Sequence, residues 1–169
     1  MINKITVVVS IIIVLILGFF VYRKYFILTE IHYHAGFRVF VNGVLQDFSG
    51  PEYMALTPCS DTTIYENDQL EKAHLHDRIG YVVHSHREGG KWGDLFANIH
   101  YQFDPTKSVV AYLNGKQVTN VLEQTIRPYD SLIILVGRHG DVRQYLQQEV
   151  TQAEIKTVER KSEDCGANK

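Results

Sequence analysis

Histidine is the residue type in this chain whose number and spacing most clearly indicate chemistry. Six of the eight histidines in the 169 residues form three His-x-His pairs. One pair lies in HYHAG at residues 32–36, and the other two lie in HLHDRIGYVVHSH at residues 74–86. Imidazole is a good ligand for Cu(II), Zn(II) and Ni(II), and its unperturbed pKa of about 6.5 leaves it mostly neutral at pH 7.

The spacing within each pair suits metal binding if the pairs lie on β-strands. Residues two apart on a strand point to the same face, about 6.6 to 7 Å from each other, so both imidazoles can reach one ion or two adjacent ions. We therefore predict a transition-metal site, with copper favoured and zinc as the alternative. Its candidate ligands are His32, His34, His74, His76, His84 and His86.

Four other residues are weaker candidates. Asp77 has the chemistry to accept a hydrogen bond that orients an imidazole, but a role in a turn is the more usual one for aspartate. His100 lies beside the apolar face of a predicted helix, and Cys59 offers a thiolate ligand. A zinc enzyme would also need a general base, for which Asp77 and Glu88 are the candidates, although no catalytic motif supports either.

The histidine-rich stretch alternates as a hairpin does, and its loop length decides which side chains share a face. A two-residue loop would send His84 and His86 to the face away from the first pair. A three-residue loop at residues 78–80 places His74 opposite His84 and gathers all four imidazoles, leaving Leu75, Tyr81 and Val83 for the core. Because such loops favour positive φ at their last position, Gly80 favours the longer loop.

Two Asn-Gly dipeptides between alternating runs predict further hairpins, over residues 31–48 and 109–118. In the first, Phe37, Val39 and Val41 would face the core, whereas His32 and His34 would project from the opposite, non-core face. That register also predicts an Arg38–Asp47 charge pair across the strands. Residues 131–137 form one more apolar strand.

Residues 91–103 carry apolar side chains at helical spacing and predict a helix that ends before Asp104-Pro105. From residue 141 a more polar helix would fray into a flexible tail. These elements predict an α+β domain, mostly antiparallel β with one packed helix. A β-grasp-like sheet is the first expectation, and a β-sandwich or barrel is the alternative.

The first residues predict a membrane anchor. Residues 5–22 contain no charge and are just long enough to cross a bilayer, and no signal-peptide cleavage pattern follows them. We divide the chain into an N-terminal transmembrane anchor at 1–28, a histidine-rich extracytoplasmic domain at 29–140, and a C-terminal helix with a flexible tail at 141–169. The net charge of −2, without a basic patch, argues against nucleic-acid binding.

Two resemblances accompany this pattern. HYHAG and HSH locally resemble the His-x-His elements of multicopper oxidases, but the chain is far shorter and lacks their His-Cys-His element. The ordered segments HYHAGFRVFVNG, HLHDRIGYVVH, GDLF and LNGKQV are similar to a little-characterised group of membrane-anchored extracytoplasmic proteins. The second resemblance implies an anchored outer domain with ligands at His32, His34, His74, His76 and His84, and it implies no reaction.

Three functions are consistent with this sequence. The first is a single-pass membrane protein whose outer domain captures or transfers copper or zinc. The second is a small copper or zinc metalloenzyme, and the third is a cell-surface interaction module that binds a protein partner or another copy of itself. The paired histidines close behind a predicted anchor favour the first.

Overall fold

The computed structural model describes residues 12–18, 32–55 and 68–161. The chain divides into two compact units, Met1–Glu30 and Ile31–Lys169. Helix α1, described over residues 12–18, belongs to the first unit, and the described residues include no helix long and apolar enough to cross a bilayer. Much of the predicted anchor at residues 5–22, together with Cys59, lies outside the described residues.

The second unit is built on one mixed sheet, in which β1 and β6 are parallel and every other strand pair is antiparallel. The strand order is β2-β1-β6-β4-β5, and β3 pairs with the first residues of β1. The predicted α+β, mostly antiparallel architecture is confirmed. The strands are β1 (Tyr33–Val41), β2 (Val44–Leu45), β3 (Val82–Ser85), β4 (Val109–Leu113), β5 (Lys116–Val118) and β6 (Ser131–Val136).

Helices cover both faces of the sheet. Since successive residues of β1 point to opposite sides, this strand contributes apolar side chains to the packing on each face. Phe37 and its same-face neighbours form the main core with Trp92 of α3, whereas Phe40 on the other face packs against Tyr145 of α4. The helices are α2 (Asp68–Lys72), α3 (Trp92–Asn98), α4 (Arg143–Leu146) and α5 (Gln152–Glu159), with 3-10 turns at Pro51–Tyr53 and Val121–Glu123.

Both Asn-Gly hairpins are confirmed. Asn42 and Asn114, like the glycine after each, have positive φ, and Val41 pairs with Val44 across the first turn. The same register predicted an Arg38–Asp47 pair, and that prediction is wrong because β2 ends at Leu45. Asp47 instead accepts a hydrogen bond from the Ser49 backbone N–H at 2.9 Å. The guanidinium of Arg38 instead lies 3.7 Å from the carboxylate of Glu154 on α5.

Helix α3 ends earlier than proline alone predicts. His100 takes a left-handed conformation with φ of 55°, and its backbone N–H and that of Tyr101 bond to the carbonyl oxygens of Ala97 and Phe96. This Schellman motif satisfies the free carbonyl groups at the helix end, so the helix stops at Asn98 rather than continuing to Phe103.

The predicted C-terminal helix is two helices, α4 and α5. Thr151 starts the second one, because its hydroxyl accepts a hydrogen bond from the backbone N–H of Glu154 while the Glu154 carboxylate accepts one from the Thr151 backbone N–H. This capping box re-initiates the helix after a break. The predicted flexible tail lies mainly in residues 162–169, outside the described ranges.

The histidine hairpin has the predicted register but a different loop. His74 pairs with His84 through two backbone hydrogen bonds of 3.0 and 2.9 Å, as the three-residue loop required. The positive φ angles, however, are at Asp77 and Arg78, both 58°, in a turn closed by the Ile79 N–H to His76 carbonyl bond. Gly80, unlike these two residues, has no positive φ.

Gly80 is needed for a different reason, a close approach between two backbone segments. A Cβ at this position would lie 2.5 Å from the backbone nitrogen of Ser49 and closer still to the carbonyl carbon of Phe48. Backbone atoms cannot move aside as a flexible side chain can. The glycine therefore lets the loop after the second His-x-His pair pack against the segment that follows β2.

We expect Gly80→Ala to destabilise the fold by about 1–3 kcal/mol, the usual cost of forcing extra volume into a packed site. Denaturant unfolding followed by the fluorescence of the single tryptophan, Trp92, measures this. Gly140→Ala is the matched control, because a Cβ there meets only the flexible end of Gln144. Equal stability of the two variants would contradict the close-approach explanation.

Candidate metal centre

Three neighbouring backbone segments bring the His-x-His pairs together. His34 of β1 lies directly opposite His84 of β3, and His84 in turn lies opposite His74 on its other side. Side chains at paired positions of adjacent strands point to the same face. The sheet register alone therefore places one histidine from each pair in a row.

The segment before His74 is held in place by hydrogen bonds from the side chain of Asn98 and the backbone of His86. The side-chain amide of Asn98, in the last turn of α3, donates to the carbonyl oxygens of Gln69 and Ala73 at 2.9 and 2.7 Å. The backbone N–H of His86 donates to the carbonyl of Glu71 at 2.8 Å. Helix α3 thus positions histidines that are distant from it in sequence.

The six imidazoles form one array, which we call the histidine cluster (His32, His34, His74, His76, His84 and His86). In its inner row the ring of His84 lies between those of His34 and His76, with centroid distances of 4.0 and 3.5 Å. In its outer row the ring of His86 lies between those of His32 and His74, at 4.6 and 5.5 Å and nearly parallel to both.

The prediction that the histidine pairs project from a non-core face is wrong, because this face is covered. Val82, on the same face of β3, packs against Ile155 and Val158 of α5. His34, His74, His76 and His84 are buried, with exposed fractions of 1, 4, 6 and 0%. His32 is exposed, so the cluster opens to solvent at one end.

Three of these histidines meet the spacing expected of a metal site. One ring nitrogen each from His32, His34 and His84 lies within 4.8 Å of the other two. Nε2 of His34 and Nε2 of His84 are buried and have no hydrogen-bond partner among the described residues. Leaving a buried polar atom unpaired costs about 1–3 kcal/mol, which a bound ion would remove. The trio of His32, His34 and His84 can hold a metal ion.

Oxygen acceptors fix the orientation of two other rings. Nδ1 of His74 lies 3.0 Å from the Leu70 carbonyl oxygen, and Nδ1 of His76 lies 2.7 Å from the Asp77 carboxylate. Because these oxygens only accept, each Nδ1 carries the proton and each Nε2 keeps a lone pair. Asp77 therefore combines the two roles considered for it, a turn residue and an acceptor that orients an imidazole.

This assignment extends to His84. Nε2 of His76 lies 2.7 Å from Nδ1 of His84. Because Nε2 of a neutral His76 is the acceptor, Nδ1 of His84 donates and Nε2 of His84 keeps its lone pair. The unpartnered Nε2 is therefore the nitrogen that His84 has available for an ion shared with His32 and His34.

Glu159 is a part of the site that the sequence analysis missed. Its carboxylate, at the end of α5, lies 3.6 Å from Nδ1 of His34 and accepts a hydrogen bond of 3.1 Å from the hydroxyl of Tyr129. Tyr129 has a φ of 63°, unusual for a bulky residue, and its backbone N–H bonds to the His34 carbonyl at 2.7 Å. No local pattern links these residues, and only the fold brings them together.

Burial favours the neutral form of the four enclosed histidines, His34, His74, His76 and His84. It lowers the pKa of His74 to about 3 and that of His34 to about 4, with neighbouring imidazoles acting in the same direction and Glu159 opposing the shift at His34. Burial also lowers the pKa of His84 and His76, and the Asp77 carboxylate partly offsets the shift at His76. Neutral rings are the form that binds metal ions.

The other candidates are not brought into the cluster. His100 is exposed at the end of α3, and Glu88 is exposed in the loop after β3. Cys59 lies outside the described ranges, so its role as a ligand stays a prediction. No family model, curated protein or solved structure matches this chain, so the geometry of the histidine cluster carries the functional argument.

Proposed function

We propose that this chain is a membrane-anchored, extracytoplasmic protein that captures and transfers a transition-metal ion. The ion is held by His32, His34 and His84. The observation that carries the proposal is the convergence of one ring nitrogen from each of three imidazoles, two of which, His34 and His84, are buried and carry an Nε2 without a hydrogen-bond partner among the described residues.

The size of the site fits an ion after a small adjustment. Two nitrogens bound to one tetrahedral zinc lie about 3.4 Å apart, from metal–nitrogen distances of about 2.1 Å. The trio spans up to 4.8 Å, so it must close by about 1.4 Å at most. His32, the exposed member, is the ring best placed to move inward because fewer atoms surround it.

The difference in burial among the three ligands supports capture and transfer rather than a purely structural role. His34 and His84 are enclosed, whereas His32 is reachable from solvent. An incoming ion can meet His32 first and then the inner pair, and it can leave by the reverse route. An all-imidazole donor set suits both Cu(II) and Zn(II). We propose copper first and keep zinc as the alternative.

The remaining parts of the proposal concern location and fold. The uncharged residues 5–22 and the resemblance to anchored extracytoplasmic proteins support a single-pass membrane protein. Alkaline extraction of membranes tests this, and release of the full-length chain would contradict it. A mixed sheet whose first and last strands are parallel neighbours, with a hairpin formed by β1 and β2 and another by β4 and β5, supports a β-grasp-like fold.

Metal titration of the full-length chain, after removal of bound metal, tests the function. We expect at least one Cu(II) or Zn(II) ion per chain to remain after gel filtration. A folded chain that retains neither ion would contradict the proposal. Circular dichroism before and after metal removal verifies that the chain is still folded.

Glu159→Gln is expected to lower metal affinity about 10- to 100-fold, the usual effect of losing a carboxylate that orients a ligating histidine. The carboxylate opposite Nδ1 of His34 favours the tautomer whose Nε2 binds the ion. Glu52→Gln, which changes an exposed carboxylate on the 3-10 turn after β2, is the matched control. Competition with a metal-binding dye measures both variants, and equal affinities would exclude this role for Glu159.

A further inference from the structure

We infer that the histidine cluster holds two metal ions and that the imidazole of His84 lies between them as a shared ligand. This inference rests on the proposed function, because the first ion is the one held by the trio. The second ion is held by Nε2 of His74, Nε2 of His76 and Nδ1 of His84.

His84 carries the argument because histidines surround it on both sides. It is fully buried in the middle of the inner row, with the rings of His34 and His76 at 4.0 and 3.5 Å. Its Nδ1 lies 2.7 Å from Nε2 of His76, while its Nε2 has no partner and serves the trio. The ring of His84 therefore has histidine rings on both sides, with Nδ1 directed at His76 and Nε2 left for the trio.

His74 and His76 are oriented as metal ligands usually are. In each, Nδ1 contacts an oxygen acceptor, which is the Leu70 carbonyl for one and the Asp77 carboxylate for the other. Such acceptors on the outer nitrogen are typical of histidines that bind metal through the other nitrogen. The rings of His74 and His76 have centroids 5.8 Å apart, and His74 and His84 have centroids 6.0 Å apart.

Two of the three ring separations, His74–His76 and His74–His84, agree with one ion between the rings, whereas the rings of His76 and His84, with centroids 3.5 Å apart, must move apart to share it. Two imidazoles on a tetrahedral ion have centroids roughly 5 to 6 Å apart, because each nitrogen lies about 2.1 Å from the metal. The hydrogen bond between His76 and His84 is too short for both nitrogens to bind the ion unchanged. Their separation must widen from 2.7 Å to about 3.4 Å, the distance between two ligands of one tetrahedral ion.

Binding of the second ion exchanges one proton for one metal ion. The Nδ1–H bond of His84 breaks, the proton goes to water, and the freed electron pair binds the metal. Nε2 of His76 turns its lone pair from that proton to the same ion. The resulting imidazolate places the two ions about 6 Å apart, from two metal–nitrogen bonds of about 2.0 Å and the width of the ring.

Loading the full-length chain with Cu(II) separates this inference from the proposed function. We expect two copper ions per chain and an electron paramagnetic resonance spectrum with fewer than two spins per chain, because a bridging ring couples the ions. One copper per chain, or two copper ions with uncoupled spectra, would overturn the shared site and leave the proposed function standing. A chain that retains no copper would overturn both.

Asp77→Asn tests the second position without altering the core. Asparagine tolerates the positive φ at this position, and the change removes the carboxylate that fixes His76. We expect affinity for the second copper ion to fall about 10- to 100-fold, a larger loss than that for the first ion, which Asp77 reaches only through His76 and His84. Glu159→Gln should instead weaken binding of the first ion more than that of the second, and Glu52→Gln should change the affinity for neither ion. Equal weakening of both ions by Asp77→Asn would contradict two separate positions.

Discussion

Replacing His84 by alanine is expected to lower the affinity of the full-length chain for its first metal ion by more than 100-fold. His84 supplies the buried nitrogen that meets His32 and His34, and alanine offers no ligand in its place. Loss of a group that merely orients a ligand already weakens metal sites about 10- to 100-fold, so loss of the ligand itself should cost more.

The measurement is competition with a metal-binding dye, on protein whose fold is verified by circular dichroism. His139→Ala is the matched control, because His139 is only half-buried and its ring contacts Tyr145 rather than the histidine cluster. His84→Gln, which keeps more of the side-chain volume, is the second variant if alanine disturbs folding. Unchanged affinity in either folded variant would refute the assignment of His84 as a ligand.

Acid is expected to unfold the metal-free protein well above the pH at which carboxylates protonate. Burial lowers the pKa of His74 to about 3 and also lowers that of His84, both below the unfolded value of about 6.5. Between these values the unfolded chain binds more protons than the folded chain. Stability is therefore complete above pH 6.5 and falls as the pH drops toward 3.

The size of this effect follows from proton linkage. Well below pH 6.5, each histidine that stays neutral in the fold lowers the free energy of unfolding by about 1.4 kcal/mol for every pH unit of acidification. His74 and His84 together lower it by about 2.7 kcal/mol per unit. Denaturant unfolding at pH 7.5, 6.5 and 5.5 with a chelator present, followed by Trp92 fluorescence, measures the slope. His139→Gln should keep it, and equal stability at pH 7.5 and 5.5 would show that the cluster is not buried in its neutral form.

Local sequence was sufficient to predict parts of the site within one hairpin. Alternation predicted that His74 lies opposite His84, since Leu75 and Val83 must reach the core, although Tyr81, which was also expected there, is exposed. The reason given for Gly80 was wrong, because Asp77 and Arg78 supply the positive φ angles while Gly80 permits close backbone packing. The hydrophobic pattern fixed the register even though the assumed loop was incorrect.

The meeting of the first histidine pair with the other two could not be predicted in the same way. His34 and His84 are separated by 50 positions, and nothing in either segment specifies pairing between β1 and β3. Such a pairing is decided by the whole sheet, because β6 occupies one side of β1 and leaves the other side open at its start. The sequence predicted that the ligands are histidines, and the strand pairing brings those histidines together.

The burial of the cluster was missed because the C-terminal segment is polar on average. Ile155 and Val158 form a narrow apolar stripe on α5, which is enough to cover Val82 and the histidine face of β3. The same helix carries Glu159 to His34. A short helix that starts at a capping box can thus both enclose a site and supply its acidic partner.

X-ray absorption spectroscopy of the full-length chain, loaded with Cu(II) or Zn(II) and washed, tests whether imidazoles hold the ion. We expect a metal edge with a shell of nitrogen atoms at about 2.0 to 2.1 Å and the multiple scattering of at least three imidazole rings. Failure to retain metal, or a shell of oxygen atoms without imidazole scattering, would contradict a metal centre built from His32, His34 and His84.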